Sequence, residues 1–436
     1  MAKFQSLGSK KTFYFLARYP DGLFESFSLV PTNPIMIRKD KTKGELEMKS
    51  SNSPVSRRTF LKMGLAGAAA TAIGAGGISE LAASSSPQNF QLAYRTLGRT
   101  GLKVTTLSFG AMLTPEHEVI RAGLDMGINY VDTARVYLSG RSEEIVGKAL
   151  KGIRDKVYVA TKTQPKSNTK ETIIKDVETS LLNLQIDHID VIQLHNLDSP
   201  QRAYIPEVRE AYLRLREQGK VRFFGITTHT NQAAVINGLA DDPEKFFDTI
   251  QVAYNFKSDP AVKEAIARAS AAGLGIIAMK IQMGGYKTRE EAKALTPEQA
   301  AANFKWVLQD KNVTNAIPGM RTLEQVRQMM PVMGMKLTKA DEGIIQSYAR
   351  AIDPYYCRHC GQCEGTCPKG VAISTVNRAL MYYEGYKVPE LARETYREIP
   401  MQARASACLS CSPCTAHCVR GLNINRKMAQ ARATFA

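Results

Sequence analysis

Eight cysteines lie between Cys357 and Cys418, and the 356 residues before them contain none. They form two runs, Cys357-x-x-Cys360-x-x-Cys363-x-x-x-Cys367-Pro368 and Cys408-x-x-Cys411-x-x-Cys414-x-x-x-Cys418. Each cysteine of the first run recurs 51 positions later, as Gly370 does in Gly421 and Ile373 in Ile424, with Leu422 answering Val371. This is an internal duplication. Three thiolates at i, i+3 and i+6 can curl round three corners of one iron–sulfur cubane, while the fourth points away and closes the partner cluster. On that pattern Cys357, Cys360, Cys363 and Cys418 hold one [4Fe–4S] cluster, and Cys367, Cys408, Cys411 and Cys414 hold the other. Two Cys₄ zinc sites and four disulfides are the competing uses, and the regular spacing favours the cubane over both. Eight thiolates suffice for two clusters, so His359 and His417 are read as groups beside the sulfurs or on the surface.

A second set of reactive types is spread along the middle of the chain: Asp132, Tyr137, Lys162 and His195. Each has an ordinary use, as a helix-capping Asp, a solvated Lys or a structural His. Together they make a proton-transfer set. Reducing a carbonyl by hydride builds negative charge on its oxygen, which a proton donor must meet. A phenol with an ordinary pKa of about 10 is a weak acid near neutrality. A neighbouring Lys162 ammonium is expected to lower the pKa of Tyr137, with Asp132 holding the ammonium in place. His195 would add a hydrogen bond to the carbonyl, and a nicotinamide would supply the hydride.

These residues need a scaffold that brings them to one place. From Tyr94 to about Met335, short β-branched apolar runs alternate with amphipathic helical stretches. The runs predict strands at Val104–Phe109, Asn129–Thr133, Val157–Thr161, Ile189–His195, Arg222–Thr227, Thr249–Tyr254, Gly275–Met279 and Asn315–Ile317. Eight strand–helix units predict an α/β fold of the (β/α)₈ TIM-barrel class, whose chemistry sits at the C-terminal ends of the strands. A doubly wound open sheet is the alternative, but no G-x-G-x-x-G follows an early strand. Asp132, Lys162 and His195 then close strands two, three and four, and Tyr137 sits in the loop after strand two. Ser142 is expected to cap the helix that follows, with Glu143 and Glu144 in its first turn. Trp306, at apolar spacing with Phe304 and Leu308, is read as core packing, and His188 and His229 as structural.

The blocks Tyr94–Val104, Asn129-Tyr-Val-Asp-Thr-Ala134 with Tyr137, Gly140-Arg-Ser-Glu-Glu144, Val159-Ala-Thr-Lys162 and Ile189-Asp-Val-Ile-Gln-Leu-His195 stand in the order found in aldo/keto reductases. Over about residues 92–335 the chain resembles that family. The resemblance implies a tetrad of Asp132, Tyr137, Lys162 and His195 with Tyr137 as proton donor. It implies cofactor contacts from Thr227, Thr228, Gln251, Met279, Lys280, Gly319, Arg321 and Gln325. Two departures stand out. Met279 occupies the place where many members stack an aromatic on the nicotinamide, and Gln325, Gln328 and Met329 replace the usual adenosine-phosphate set, so NADP and NAD both remain open. The tail resembles bacterial two-cluster ferredoxins, with a longer linker and with Val419 in place of the second proline.

Residues 56–62, Ser-Arg-Arg-Thr-Phe-Leu-Lys, precede a small-residue apolar stretch and Ala82-Ala83-Ser84, the order of a secretory signal of the twin-arginine type. The chain thus divides into 1–47, a disordered or mis-annotated leader with the true start at Met36 or Met48; 48–85, the signal; 90–340, the barrel; and 350–430, a small ferredoxin-like iron–sulfur domain. A length of 436 residues requires several such parts, and 44% hydrophobic with 23% charged residues excludes a disordered or fibrous chain. The net charge of +17 comes without an aromatic-interleaved basic patch, so nucleic-acid binding is not inferred. The expected partners are a small carbonyl or alcohol substrate, sugars included, and the twin-arginine export machinery, with room for a redox partner protein. The expected location is periplasmic or extracytoplasmic. Export of a folded protein suits clusters assembled in the cytosol, and a tightly held NAD(P) recharged through the clusters would answer the scarcity of nicotinamide outside it. The alternative function is an electron-transfer or partner-binding iron–sulfur protein on a non-catalytic barrel.

Overall fold

The structure is a computed structural model and describes residues 13–18, 24–29, 90–284, 288–292, 294–411 and 413–435. The signal segment 48–85 lies outside the described residues, as does the leader 1–47 apart from one pair of strands. In the first unit, Met1–Ala82, strands Phe13–Arg18 and Phe24–Leu29 pair antiparallel. The second unit, Ala83–Ala436, holds everything that follows.

Eight parallel strands run in sequential order: β1 (Phe109–Gly110), β2 (Tyr130–Asp132), β3 (Tyr158–Lys162), β4 (Ile189–Leu197), β5 (Val221–Thr228), β6 (Thr249–Ala253), β7 (Gly275–Met279) and β8 (Asn315–Ala316). Parallel bridges Leu107↔Ala316 and Gly110↔Gly319 join the last strand to the first and close the barrel. The strands form because their β-branched runs are buried on both faces, and β6 and β7 have no residue that is not buried. Helices between them start from side-chain caps where the sequence supplies one. Thr296 accepts from Gln299 N ahead of Pro297, and Asp259 accepts from Ala261 N ahead of Pro260.

The first expected strand, Val104–Phe109, is divided. Lys103–Thr105 turns back to pair antiparallel with Tyr94–Thr96, and the segment joins the barrel only from about Leu107 onward. This opening hairpin carries Leu97, Leu102 and Val104 into one apolar cluster with Tyr130, Ala160, Val191 and Ile277, and so plugs the barrel. Gly98 makes the approach possible: its φ is +49°, and a Cβ there would stand 2.2 Å from Gly275 N. Ser142 also departs from expectation. It is the first helical residue rather than the cap, and its hydroxyl is engaged by Thr133 Oγ1 at 2.8 Å. Glu143 is buried rather than solvated and accepts from Thr161 Oγ1 at 2.6 Å.

The C-terminal region is helical: Lys339–Ile352, Ile373–Glu384, Pro389–Glu398 and Ile424–Phe435. Among the described residues after Ala316 no strand is present, so the region expected to be a small ferredoxin-like domain is built of helices and turns. The long linker between the cysteine runs accounts for this, since two of the helices occupy it. The duplication persists in the backbone. Gly370 and Gly421 have φ of +60° and +81°, and Ile373 and Ile424 each start a helix. Val376, Leu380, Tyr396 and Met428 form a separate core, while Met283, Tyr348, Ile352, Tyr356, Met381 and Tyr382 join this region to the barrel.

Candidate active site

The ends of β2, β3 and β4 bring the expected tetrad together. Asp132 lies opposite Ala160, and Lys162 opposite Gln193, in the strand register. Lys162 Nζ donates to Asp132 Oδ1 at 2.7 Å, to Asp132 Oδ2 at 2.8 Å and to Thr133 O at 2.7 Å. Both side chains are buried. Gln193 Nε2 donates to Asp132 Oδ2 at 3.1 Å and Gln251 Nε2 to Oδ1 at 3.5 Å, so the carboxylate is held from three strands besides its own. The His195 ring meets the Tyr137 ring edge-on at 5.9 Å. After Tyr137, Leu138 and Ser139 have φ of +52° and +54°, a left-handed backbone that costs energy in residues with a Cβ and clusters at functional sites.

The electrostatics differ from expectation at the phenol. Lys162 Nζ stands 4.8 Å over the Tyr137 ring centroid, its charge already taken by Asp132. Burial, and then Asp132, push the Tyr137 pKa well above its ordinary value, and the opposing pull comes from Arg378 rather than Lys162. Burial also lowers the Lys162 pKa, against the pull of Asp132. Burial, with the charges of Lys162, Arg378, Lys280 and Arg202, drives the His195 pKa well down, so the imidazole is neutral at physiological pH. Replacing Asp132 with Asn leaves Lys162 buried without its counter-ion. The expected cost is about 3–5 kcal/mol of stability, measurable by chemical denaturation.

Asp132 and Tyr137 open onto a cavity of about 380 Å³, within the range of small-molecule sites. Gln251, Met279, Lys280, Gly319, Arg321 and Gln325 line the same cavity. Thr227 and Thr228 are outside it: the Thr227 hydroxyl accepts from Asn196 N at 2.8 Å, and the Thr228 hydroxyl donates to Thr230 O at 3.1 Å. Lys280 has φ +55° and is partly buried, with its ammonium 4.6 Å from the Tyr382 ring centroid and 5.6 Å from that of Tyr386. Burial and then Arg378 push its pKa down to about 7. Arg321 is committed to the C-terminal region through Nη2, which donates to Tyr386 O at 3.1 Å.

The contributions of Tyr382, Tyr386 and Arg378 were not visible in the sequence, because nothing in an amphipathic helix or the turn after it says which surface it will cover. Gln193 could have been found. It alternates with Val191 and His195 along one face of β4.

The cysteines gather round two further hollows. Cys357, Cys360, Cys363 and Cys418 line one, and Cys367, Cys408, Cys411 and Cys414 line the other. All eight are free thiols, so the disulfide alternative is not realised. Burial raises the thiol pKa of Cys363 to about 12, with Cys418 and Cys360 adding to it, and that of Cys408, with Cys367 adding to it. Backbone N–H groups of His359 and Arg420 donate to Cys357 Sγ and Cys418 Sγ, each at 3.4 Å. Among the described residues no three His, Cys, Asp or Glu side chains come close enough to hold one metal ion. His359 is buried with Nδ1 3.2 Å from Ser374 O, and His417 is exposed.

Residues 112–303 match the family model described as "Aldo/keto reductase family", and residues 54–74 match that of the twin-arginine translocation pathway signal sequence. The uncharacterized oxidoreductase YrpG of Bacillus subtilis is 28% identical over 305 residues, 57% of this chain and 93% of that protein. The aldo-keto reductase YhdN of the same organism is 36% identical over 186 residues, 38% of this chain and 54% of that one. L-galactose dehydrogenase of Arabidopsis thaliana is 32% identical over 155 residues, 31% of this chain and 49% of that one. The solved aldo-keto reductase AKR11C1 of Bacillus halodurans, in its holo form, superposes with a TM-score of 0.50 at 25% identity, over 62% of this chain and 99% of that one.

Proposed function

We propose that this chain, an exported NAD(P)-dependent oxidoreductase of the aldo/keto reductase type, interconverts a small carbonyl compound and its alcohol with Tyr137 as the proton donor, and carries two [4Fe–4S] clusters in its C-terminal region. The observation that supports the catalytic part most is the buried Lys162–Asp132 pair beside Tyr137, with Asp132 and Tyr137 lining one cavity. When bound there, the nicotinamide supplies the hydride. Tyr137 then gives its proton to the oxygen as charge develops on it. A buried phenol of raised pKa keeps its proton until that moment. Lys162, fixed by an Asp132 that Gln193 and Gln251 hold in turn, steadies the ring from its face. Neutral His195 is a hydrogen-bond donor to the carbonyl and does not compete as an acid.

Lys280, Arg321 and Lys387 line the same cavity and suit the phosphates of the nucleotide. The Lys280 ammonium is present below its pKa of about 7 and lost above it. Nucleotide affinity should therefore fall as pH rises through neutrality, by about tenfold for one charge-assisted hydrogen bond. Titration calorimetry at several pH values measures this, and Lys280→Met should flatten the dependence.

The clusters are supported by the donor sets. Each hollow is bounded by three cysteines of one run and the last of the other, the crossed pairing that suits two cubanes. Iron and acid-labile sulfide analysis of anaerobically purified protein, with EPR after reduction, tests the assignment. Reduction of a carbonyl with NADPH by wild type and by Tyr137→Phe tests the catalytic part.

A further inference from the structure

The C-terminal helices reach the strand end that carries His195. Arg378, on helix Ile373–Glu384, is only 3% exposed. Its Nη1 donates to Asn196 Oδ1 at 2.7 Å, and its Nη2 meets Glu398 Oε2 at 3.3 Å. Asn196 Nδ2 donates to the same Glu398 oxygen at 3.3 Å, closing a triangle between β4 and two C-terminal helices. Arg378 Nε is buried and has no hydrogen-bond partner.

Asn196 follows His195 and is itself unusual. Its φ is +60°, and the β4–β5 register shifts between Leu194 and Leu197. Asn is one of the few residues that accept the left-handed conformation readily. The bulge re-aims the strand end, and His195 there faces the edge of Tyr137. From the barrel side the bulge is held by Asn196 N donating to Thr227 Oγ1 at 2.8 Å. From the other side it is held by Arg378.

Burying a guanidinium costs several kcal/mol, which packing alone does not recover. What arginine offers is a planar fork that can engage two acceptors on different elements in fixed geometry. We propose that Arg378 is a positioning residue of the proton-transfer site: it clamps the Asn196 bulge so that His195 faces Tyr137, and the site is complete only when the C-terminal region is docked on the barrel.

The charges around His195 agree with that placement. The charges of Lys162, Lys280 and Arg202 on the barrel side, and of Arg378 in the C-terminal region, all act on it. Two acids answer these cations: Asp132 is tied to Lys162, and Glu398 to Arg378. His229 is also buried, and two of these cations, Arg378 and Lys280, act on it.

The role rests on Tyr137 as proton donor, and the test separates the two. Full-length protein purified anaerobically is assayed with NADPH and 4-nitrobenzaldehyde, and hydrogen exchange is followed by mass spectrometry over residues 193–199. Arg378→Lys keeps the charge but loses the fork, and Asn196→Ala removes the acceptor. Each should lower kcat by about tenfold to a hundredfold, the effect of a small misplacement of a reacting group, with KM nearly unchanged. Exchange over 193–199 should quicken in both. The double variant should be no worse than the poorer single one, because the two changes remove one interaction. Unchanged kcat and exchange, or fully additive losses, would overturn the proposal. The exchange measurement needs no turnover, so a wild type inactive on this aldehyde, or a fully active Tyr137→Phe, would count against the proton-donor role while exchange still decides the clamp.

Discussion

Replacing Tyr137 with Phe should lower kcat for carbonyl reduction by about 10²–10⁴-fold, the range for loss of a positioned general acid. The change removes one oxygen from a ring packed between the Lys162 ammonium and the His195 edge. Phe fills the same space, so the Lys162–Asp132 pair, whose bonds involve no phenol oxygen, stays intact. Nucleotide affinity should hardly move, because the change leaves the charges of Lys280, Arg321 and Lys387 in place. The cluster spectrum should be that of wild type. A loss confined to kcat is thus the signature of a missing proton, whereas equal loss in nucleotide binding and thermal stability would mark Tyr137 as a packing residue. Neutral His195 cannot substitute, since its pKa is driven well below the ordinary histidine value by burial and four neighbouring cations.

The second large effect is expected in the C-terminal region. Cys418→Ser and Cys360→Ser should each remove about half of the iron and give the same residual EPR spectrum, although the two residues belong to different runs. Cys367→Ser should instead pair with Cys411→Ser, because these two line the other hollow. Local pairing, one run to one cluster, would make Cys360 and Cys367 behave alike. Each loss also leaves three thiols around a hollow packed on Ile373 and Ile424, where both helices begin. Ligand binding to the folded state is linked to stability by mass action. The variants should therefore unfold at lower temperature than wild type, by an amount that vanishes once iron is stripped from both.

Much of this was legible beforehand, and particular residues show why. Strands β2 to β8 announced themselves through β-branched runs that are buried on both faces, and barrel topology then placed Asp132, Lys162 and His195 at neighbouring strand ends. The first strand was misread because Val104 and Thr105 carry the same apolar signal whether they pair inside the barrel or fold back on Tyr94 and Arg95. Ser142 looked like a cap, but a buried partner, Thr133, took its hydroxyl. The phenol's acidity depends on distance and on competing charge, and neither is written in spacing: Asp132 claims the Lys162 charge that was expected to reach Tyr137. The cysteine spacing grouped the residues that line each hollow. It could not foretell the helices between the runs, nor that one of them would place Arg378 against Asn196.

The barrel wall is thinnest where it closes. β1 and β8 are two residues each, and single bridges at Leu107↔Ala316 and Gly110↔Gly319 carry the seam. Gly110 on one lip and Ile317, Pro318 and Gly319 on the other both line the large cavity. A nucleotide seated there would lie across the seam like a rivet, so filling the site fastens the cylinder at its weakest joint, and the empty protein should loosen first along that line.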